Sequence, residues 1–360
     1  MAVSIVIAGG GTGGHLYPGI AVARALLARV PDGRVTFVGT ARGLESSVVP
    51  REGFTLDVIR SAGLKGKSVA SLVRGMLLLP LSAWDAWRVI SRRAPAVVVG
   101  VGGYSSGPVV ALAALRGIPT LVMEQNASPG LTNRILARLV RAAAVTFEAS
   151  LPRFGGKAFV SGNPVRAEFF ERPSIEADER PRVLVFGGSQ GAHAINVAMM
   201  AAAAELKKLS PVPRITHQTG PHDLSEVRDA CSRAGLDARV EPFLFTMHEE
   251  MHRADLVVCR AGATTLAELA AAGKPAILIP LPTATDDHQR ANARAVESAG
   301  AAVVLEQRHL DGASLARALG TLTADAAGRA RMSAAAAALA RPRAAGDIAE
   351  RILALAGVPV

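Results

Sequence analysis

Residues 255–293 read DLVVCRAGATTLAELAAAGKPAILIPLPTATDDHQRANA and hold the densest set of side chains suited to chemistry. A strand over Leu256–Cys259 would meet Gly262, after which Ala263, Thr264 and Thr265 open a helix. The first amides of a helix have no partner within it, so this end is a ready site for phosphate. Glu268 follows one turn later, on the same side as Thr264 and Thr265. A carboxylate there repels phosphate but accepts hydrogen bonds from the two hydroxyls of a neighbouring ribose. Phosphate on the amides and ribose on Glu268 describe a nucleoside diphosphate; a capped helix with a solvated acid is the simpler alternative. Further on, Asp286, Asp287, His288 and Gln289 form a polar loop suited to the hydroxyls of an attached sugar.

Two glycine turns add to this. Residues 9–15 (GGGTGGH) and 187–193 (GGSQGAH) match at four of seven positions, 178 residues apart, each between a strand and a helix. Gly9–Gly14 satisfies the dinucleotide pattern G-x-G-x-x-G. That reading needs an acidic residue about 20 positions on to hold a ribose. Val38, Gly39, Thr40, Ala41 and Arg42 stand there instead, so NAD is set aside. Both turns still let backbone approach a ligand and aim helix amides at it. His15 closes the first turn. With an ordinary pKa of about 6.5 it can act as a general base at pH 7; it could equally hold the loop by a hydrogen bond. There is no D-x-D and no clustered His/Cys spacing, so no metal site is expected. Leaving-group charge would fall to helix N-termini and to cations such as Arg166.

The elements that must position these residues alternate. Val/Ile-rich strands are expected at Ser4–Ala8, Arg34–Val38, Val97–Val101, Thr120–Glu124 and Ala158–Ser161. A second set is expected at Arg182–Phe186, Arg214–Gln218, Ala238–Pro242, Leu256–Cys259, Ala276–Pro280 and Ala302–Leu305. Ala-rich helical stretches separate them, the pattern of an α/β protein with parallel sheets. Glu171–Pro181 (ERPSIEADERP) reads as a linker. The repeated glycine turn predicts two doubly wound, Rossmann-like domains with a binding cleft between them at the strand carboxyl ends. The boundaries expected are 1–163, 164–340 and a C-terminal helix over 341–360 packing back on the first domain.

Length and composition agree. The 360 residues suit two domains, and 50% apolar content excludes a disordered or fibrous chain. Cys231 and Cys259 make no disulfide framework, which points to a reducing compartment. The formal charge is +10, yet residues 166–360 hold 22 Lys/Arg against 23 Asp/Glu. Residues 1–165 hold 18 against 7, so the first half expects an anionic partner or simply carries a solvated basic surface. No targeting segment is expected, since Met1 runs straight into a strand. The 22 uncharged residues Ala94–Leu115 are broken by Gly100, Gly102, Gly103, Gly107 and Pro108, which disfavours a membrane span.

GGGTGGHLYPGIAVA (9–23), GVGGYSSGP (100–108), EQNASPGLTNR (124–134), GNPVR (162–166), GGSQGA (187–192) and RAGATTLAE (260–268) together resemble one family. It is the bacterial MurG family of N-acetylglucosaminyltransferases, and the motifs run in order from residue 3 to about 310. The resemblance implies a GT-B fold and no cofactor. It implies transfer of GlcNAc from UDP-GlcNAc to the MurNAc C4 hydroxyl of lipid I (undecaprenyl-pyrophosphoryl-MurNAc-pentapeptide), with inversion, giving lipid II. Carried over by position, Thr12, Gly13, Gly14, Asn126, Arg166 and Ser189 would contact the donor. Leu244 would present backbone to uracil, Ala263, Thr264, Thr265, Leu266, Ala267 and Glu268 would hold diphosphate and ribose, and Gln289 the GlcNAc hydroxyls. His15 is the expected base, with Glu124 grouped with it as catalytic. Tyr104, Glu124 and Asn133 would line the acceptor side. Met123 stands where many relatives carry His and is assigned no chemistry.

The segment 68–93 combines Leu72, Met76, Leu79, Trp84 and Trp87 with Arg74, Arg88, Arg92 and Arg93. It suits an anionic membrane surface without spanning the bilayer, or else a core helix with ordinary basic residues. With the lipid acceptor the family implies, the expected location is peripheral, on the cytoplasmic face of the inner membrane. Other readings stay open: a transferase acting on another lipid, a UDP-GlcNAc epimerase, or a noncatalytic nucleotide-sugar-binding protein. Nucleic acid is not an expected partner, with 4% aromatic residues and no binding module.

Overall fold

The computed structural model describes residues 3–61, 69–171, 173–174, 179–188 and 190–359; of residues 69–77 and Thr285 it describes the backbone only. The chain forms two compact units, Met1–Val165 with Arg341–Val360, and Arg166–Ala340. Of the segment 68–93, Ser68 and the side chains of Leu72, Arg74 and Met76 lie outside what the structure describes, as does Ser189.

Among the described residues, the first unit holds seven strands. They are β1 (Ser4–Gly9), β2 (Arg34–Gly39), β3 (Thr55–Val58), β4 (Val97–Gly102), β5 (Thr120–Glu124), β6 (Ala142–Val145) and β7 (Ala158–Val160). Their order is β3-β2-β1-β4-β5-β6-β7, and every neighbouring pair is parallel. Two of these strands escape the sequence pattern. β6 is AAAV, and alanine has little intrinsic preference for strands, so tertiary burial decides its state. β3 is a four-residue edge strand whose Asp57 bonds Arg93 at 2.8 Å and Arg92 at 2.8 Å.

The period of two along β1 divides the core. Ile5 and Ile7 face the helix Gly13–Arg29 through Leu16, Ile20 and Ala23. Val6 and Ala8 face Val89, Ile90, Val109 and Val110. Both faces are covered, as a parallel sheet requires. In the C-terminal helix Ala344–Leu355, Ile348, Ala349, Ile352 and Leu353 form one stripe and join the first of these clusters. Arg29 pairs with Glu350 at 2.9 Å across that contact.

The second unit repeats the plan with β8 (Arg182–Phe186), β9 (Arg214–Gln218), β10 (Ala238–Glu241), β11 (Leu256–Cys259), β12 (Ala276–Leu278) and β13 (Ala302–Val304). The order is β10-β9-β8-β11-β12-β13, again parallel. Successive strands step away from β1 and β8 on one side, then cross over to β4 and β11 on the other. Such a reversal leaves a crevice at the carboxyl ends of the central strands, where ligands bind in open α/β sheets. The glycine-bearing motifs after β1, β4, β8 and β11 lie at these two reversals. Among the described residues no helix is long and apolar enough to cross a membrane.

Candidate functional site

In the second unit, the helix Ala263–Ala272 begins at Gly262 with no side-chain cap and no acid in its first turn. Its leading amides therefore face the β11 crevice without a local carboxylate. Glu268 lies one turn in. Burial pushes its carboxyl up to about 7, and the Arg166 guanidinium pulls it partly back. Arg166 itself is exposed and lies over the Phe169 ring at 5.2 Å. A carboxylate so poised strengthens any hydroxyl bond it accepts, because little water competes.

The second glycine turn is braced by residues that lie outside the glycine pattern itself. A Cβ at Gly191, where φ is +75°, would come within 1.8 Å of the Thr219 carbonyl, so only glycine fits that contact. Gln218, buried at the end of β9, donates from Nε2 to the Gly188 carbonyl at 2.7 Å. Its Oε1 accepts from the Leu244 amide at 3.1 Å. One side chain thus ties the glycine turn to the segment expected to read uracil. Leu244 is buried, while Phe243 and Phe245 on either side are exposed and stack edge to face at 5.0 Å. Gln289 has its Oε1 engaged by the Leu281 amide at 3.0 Å. Beside it lies a hollow of about 410 Å³ lined by Pro280, Pro282, Asp287, Arg290, Glu306, Gln307 and Arg308. Asp286 and Asp287 both have positive φ (56° and 53°), backbone that side chains other than glycine rarely adopt. Strain of this kind collects at functional loops.

In the first unit, Thr12 precedes the helix Gly13–Arg29, which has no side-chain cap and no acid in its first turn. The His15 ring lies at Gln125, with Nδ1 3.2 Å from Oε1. Glu45 is almost wholly buried and accepts from the Gly11 amide at 2.7 Å, the Thr40 amide at 2.8 Å and the Thr40 hydroxyl at 2.9 Å. Burial alone would raise this carboxyl, but these donors hold it below the ordinary value. An anion belonging to the protein therefore shapes the first glycine turn, where the sequence suggests only a ligand's phosphate. Glu45→Ala is expected to cost about 3 kcal/mol, from donors left without their acceptor. Urea unfolding at pH 7.5 measures it; an unchanged midpoint would remove Glu45 from that role. Because its pKa is depressed, the contribution is present above about pH 4.5 and is lost as pH falls through the lower folded value.

Glu124 and Asn133, expected to line the acceptor side, are instead buried and bonded together. Glu124 accepts from the Asn126 amide at 3.0 Å, Asn126 Nδ2 at 3.3 Å, the Gly130 amide at 3.1 Å and Asn133 Nδ2 at 2.9 Å. The carboxylate folds the loop after β5 around itself. Tyr104 is 54% exposed, and its carbonyl accepts from the Ser61 hydroxyl at 3.0 Å. Glu45, Gln125 and Gln218 left no sequence signal beyond standing in or beside glycine motifs, because each acts through a tertiary partner.

A model of the glycosyltransferase family 28 N-terminal domain matches residues 5–145, and one of the family 28 C-terminal domain matches residues 182–350. A protein of Anaeromyxobacter sp. strain K is 48% identical over 350 residues, covering 96% of this chain and 91% of the relative. It is described as a UDP-N-acetylglucosamine–N-acetylmuramyl-(pentapeptide) pyrophosphoryl-undecaprenol N-acetylglucosamine transferase. A Geobacter sulfurreducens protein of the same description is 42% identical, covering 98% of each chain. The crystal structure of Acinetobacter baumannii MurG superposes with a TM-score of 0.82 at 30% identity, covering 98% of this chain and 99% of that one. A putative UDP-N-acetylglucosamine 2-epimerase from Listeria monocytogenes has a TM-score of 0.66 at 13% identity, a likeness of fold alone. Two parallel α/β units of this build are the GT-B fold of nucleotide-sugar glycosyltransferases. The chain belongs to glycosyltransferase family 28 and, within it, to the MurG family of N-acetylglucosaminyltransferases.

Proposed function

We propose that this chain moves GlcNAc from UDP-GlcNAc to the MurNAc C4 hydroxyl of lipid I, with inversion, making lipid II for peptidoglycan. The observation that carries the reading is the helix N-terminus at Ala263, with no side-chain cap and no acid in its first turn, and Glu268 one turn beyond it, in a chain 48% identical to a named transferase of this reaction. The amides of Ala263–Thr265 take the diphosphate, and Glu268 accepts from the ribose hydroxyls. The Leu244 amide is engaged by Gln218, so the Leu244 carbonyl accepts from the base. Gln289, its oxygen held by Leu281, offers its NH₂ to the GlcNAc hydroxyls. Thr12, Gly13, Gly14 and Asn126 are the first unit's substrate contacts, and Tyr104 is assigned to the acceptor.

His15 takes the proton of the C4 hydroxyl as that oxygen attacks the anomeric carbon. The new C–O bond forms as the bond from the anomeric carbon to UDP breaks, and UDP leaves with the electron pair. Arg166, the second glycine turn and the helix N-terminus at Ala263–Thr265 meet the developing charge. Glu124 shapes the loop that carries Asn126. The test is radiolabelled GlcNAc transfer to a short-chain lipid I analogue, with EDTA and an acceptor-free control. Product only with acceptor supports the reading. Conversion of UDP-GlcNAc without acceptor would move the chain to epimerase chemistry, and donor binding without turnover would make it a binding protein.

The same proposal places the chain peripherally on the cytoplasmic face of the membrane. Trp84 and Trp87, 56% and 46% exposed, stack at 5.4 Å on the helix Val69–Arg93. Leu79, Leu115, Leu131 and Ile135 stand out on this helix and on two neighbouring ones, near Arg88, Arg116 and Arg134 in sequence. Exposed apolar rings with cations beside them suit an anionic lipid surface. The W84A/W87A double variant should partition about tenfold more weakly into phosphatidylglycerol vesicles. Its rate on a water-soluble acceptor should not change; equal vesicle binding by both proteins would sink the membrane assignment.

A further inference from the structure

We infer that Gln125 is a positioning residue that sets the proton on His15, holding the ring as the Nδ1–H tautomer and leaving the lone pair on Nε2. Gln125 is 3% exposed, and its Nε2 donates to the Val101 carbonyl at 3.1 Å. A carbonyl only accepts, so the amide cannot be turned the other way without setting two acceptors against each other. That orientation aims Oε1 at His15 Nδ1, 3.2 Å away. Two acceptors at that distance repel, so Nδ1 carries the proton, and a neutral ring then has its lone pair on Nε2.

The next residue of the same strand seats the ring. Gly102 has φ +100°, and a Cβ there would lie 2.7 Å from His15 Nδ1 and 2.9 Å from Cε1. The end of β4 therefore acts twice, through the Val101 carbonyl that turns Gln125 and through the bare Gly102 backbone against the imidazole. The buried carboxylates of this region brace neighbouring loops. Glu45 serves Gly11 and Thr40, and Glu124 serves Asn126, Gly130 and Asn133. On its Nδ1 side the ring is held by a neutral amide, which fixes the tautomer.

The catalytic consequence rests on His15 being the base proposed above; the tautomer does not. The test begins with ¹⁵N-histidine NMR of the full chain at pH 8, with the His15 signals assigned by their loss in H15A. The Nδ1–H form is expected. Gln125→Glu should raise the His15 pKa, and with it the acid limb of kcat/KM, by about one unit or more. Gln125→Leu should mix the tautomers and lower kcat about tenfold or more, with the KM for UDP-GlcNAc little changed. A merely structural glutamine would move neither the tautomer nor the pH limb. An Nε2–H ring in the wild type, or an unshifted His15 pKa in the glutamate variant, would overturn the inference. If the tautomer behaves as stated while H15A keeps its turnover, Gln125 retains its role and the base assignment falls.

Discussion

His15→Ala is expected to lower kcat for GlcNAc transfer about a hundredfold or more while leaving UDP-GlcNAc binding intact. The contacts to diphosphate, ribose, uracil and GlcNAc are assigned to the second unit, where Gln218 and Gln289 bond Gly188, Leu244 and Leu281. Deleting the ring removes the proton acceptor and leaves the phosphate and ribose contacts standing. Loss should therefore appear in kcat with little change in the donor KM, the mark of an interaction made in the transition state. Single-turnover transfer and calorimetric titration with UDP-GlcNAc separate the two. A near-wild-type rate would remove His15 from the role of base, and a parallel loss of donor affinity would make it a binding residue instead.

Glu268→Gln should weaken UDP-GlcNAc about tenfold to a hundredfold and, unusually for a site variant, raise stability at pH 8. The first effect follows from charge-assisted bonds, worth about 1.5–3 kcal/mol each, that a neutral amide makes less well. The second follows from the carboxyl's raised value of about 7, caused by burial and only partly offset by Arg166. The sign is that of an acid whose folded pKa exceeds its unfolded one. The native state holds the proton more tightly, so stability falls as pH climbs from about 4.5 to 7 and stays reduced above that. Removing the charge restores about 1–2 kcal/mol at pH 8 and little at pH 5, a range that allows for solvent reaching a side chain that is not fully buried. Thermal unfolding at both pH values checks this, and an equal gain at each would refute it. Because the ribose favours the carboxylate, donor binding at pH 7 should also release protons. Calorimetry in buffers of different ionisation enthalpy would detect them.

Part of the molecule is legible without coordinates. The alternation of strand and helix, the repeated glycine turn and the helix opening at Ala263 depend on local chemistry: side-chain period, glycine freedom and helix-terminal amides. Those features carried both α/β units and the placement of Thr264, Thr265 and Glu268 beside one crevice. Tertiary structure alone decided the rest. β6 is a strand because alanines are buried between neighbours, against their own preference. Glu124 and Asn133, polar residues in a family motif, turned inward because the loop after β5 needs an acceptor at its centre. Glu45, Gln125 and Gln218 gained their work from partners 34, 24 and 30 residues away in sequence, at Gly11, Val101 and Gly188. A hydrogen bond is directional and short, so it tells nothing until the fold brings donor and acceptor within about 3 Å. Residue types along the chain state what chemistry is available, and the packed sheet decides which of those groups meet the substrate and which hold the others in place.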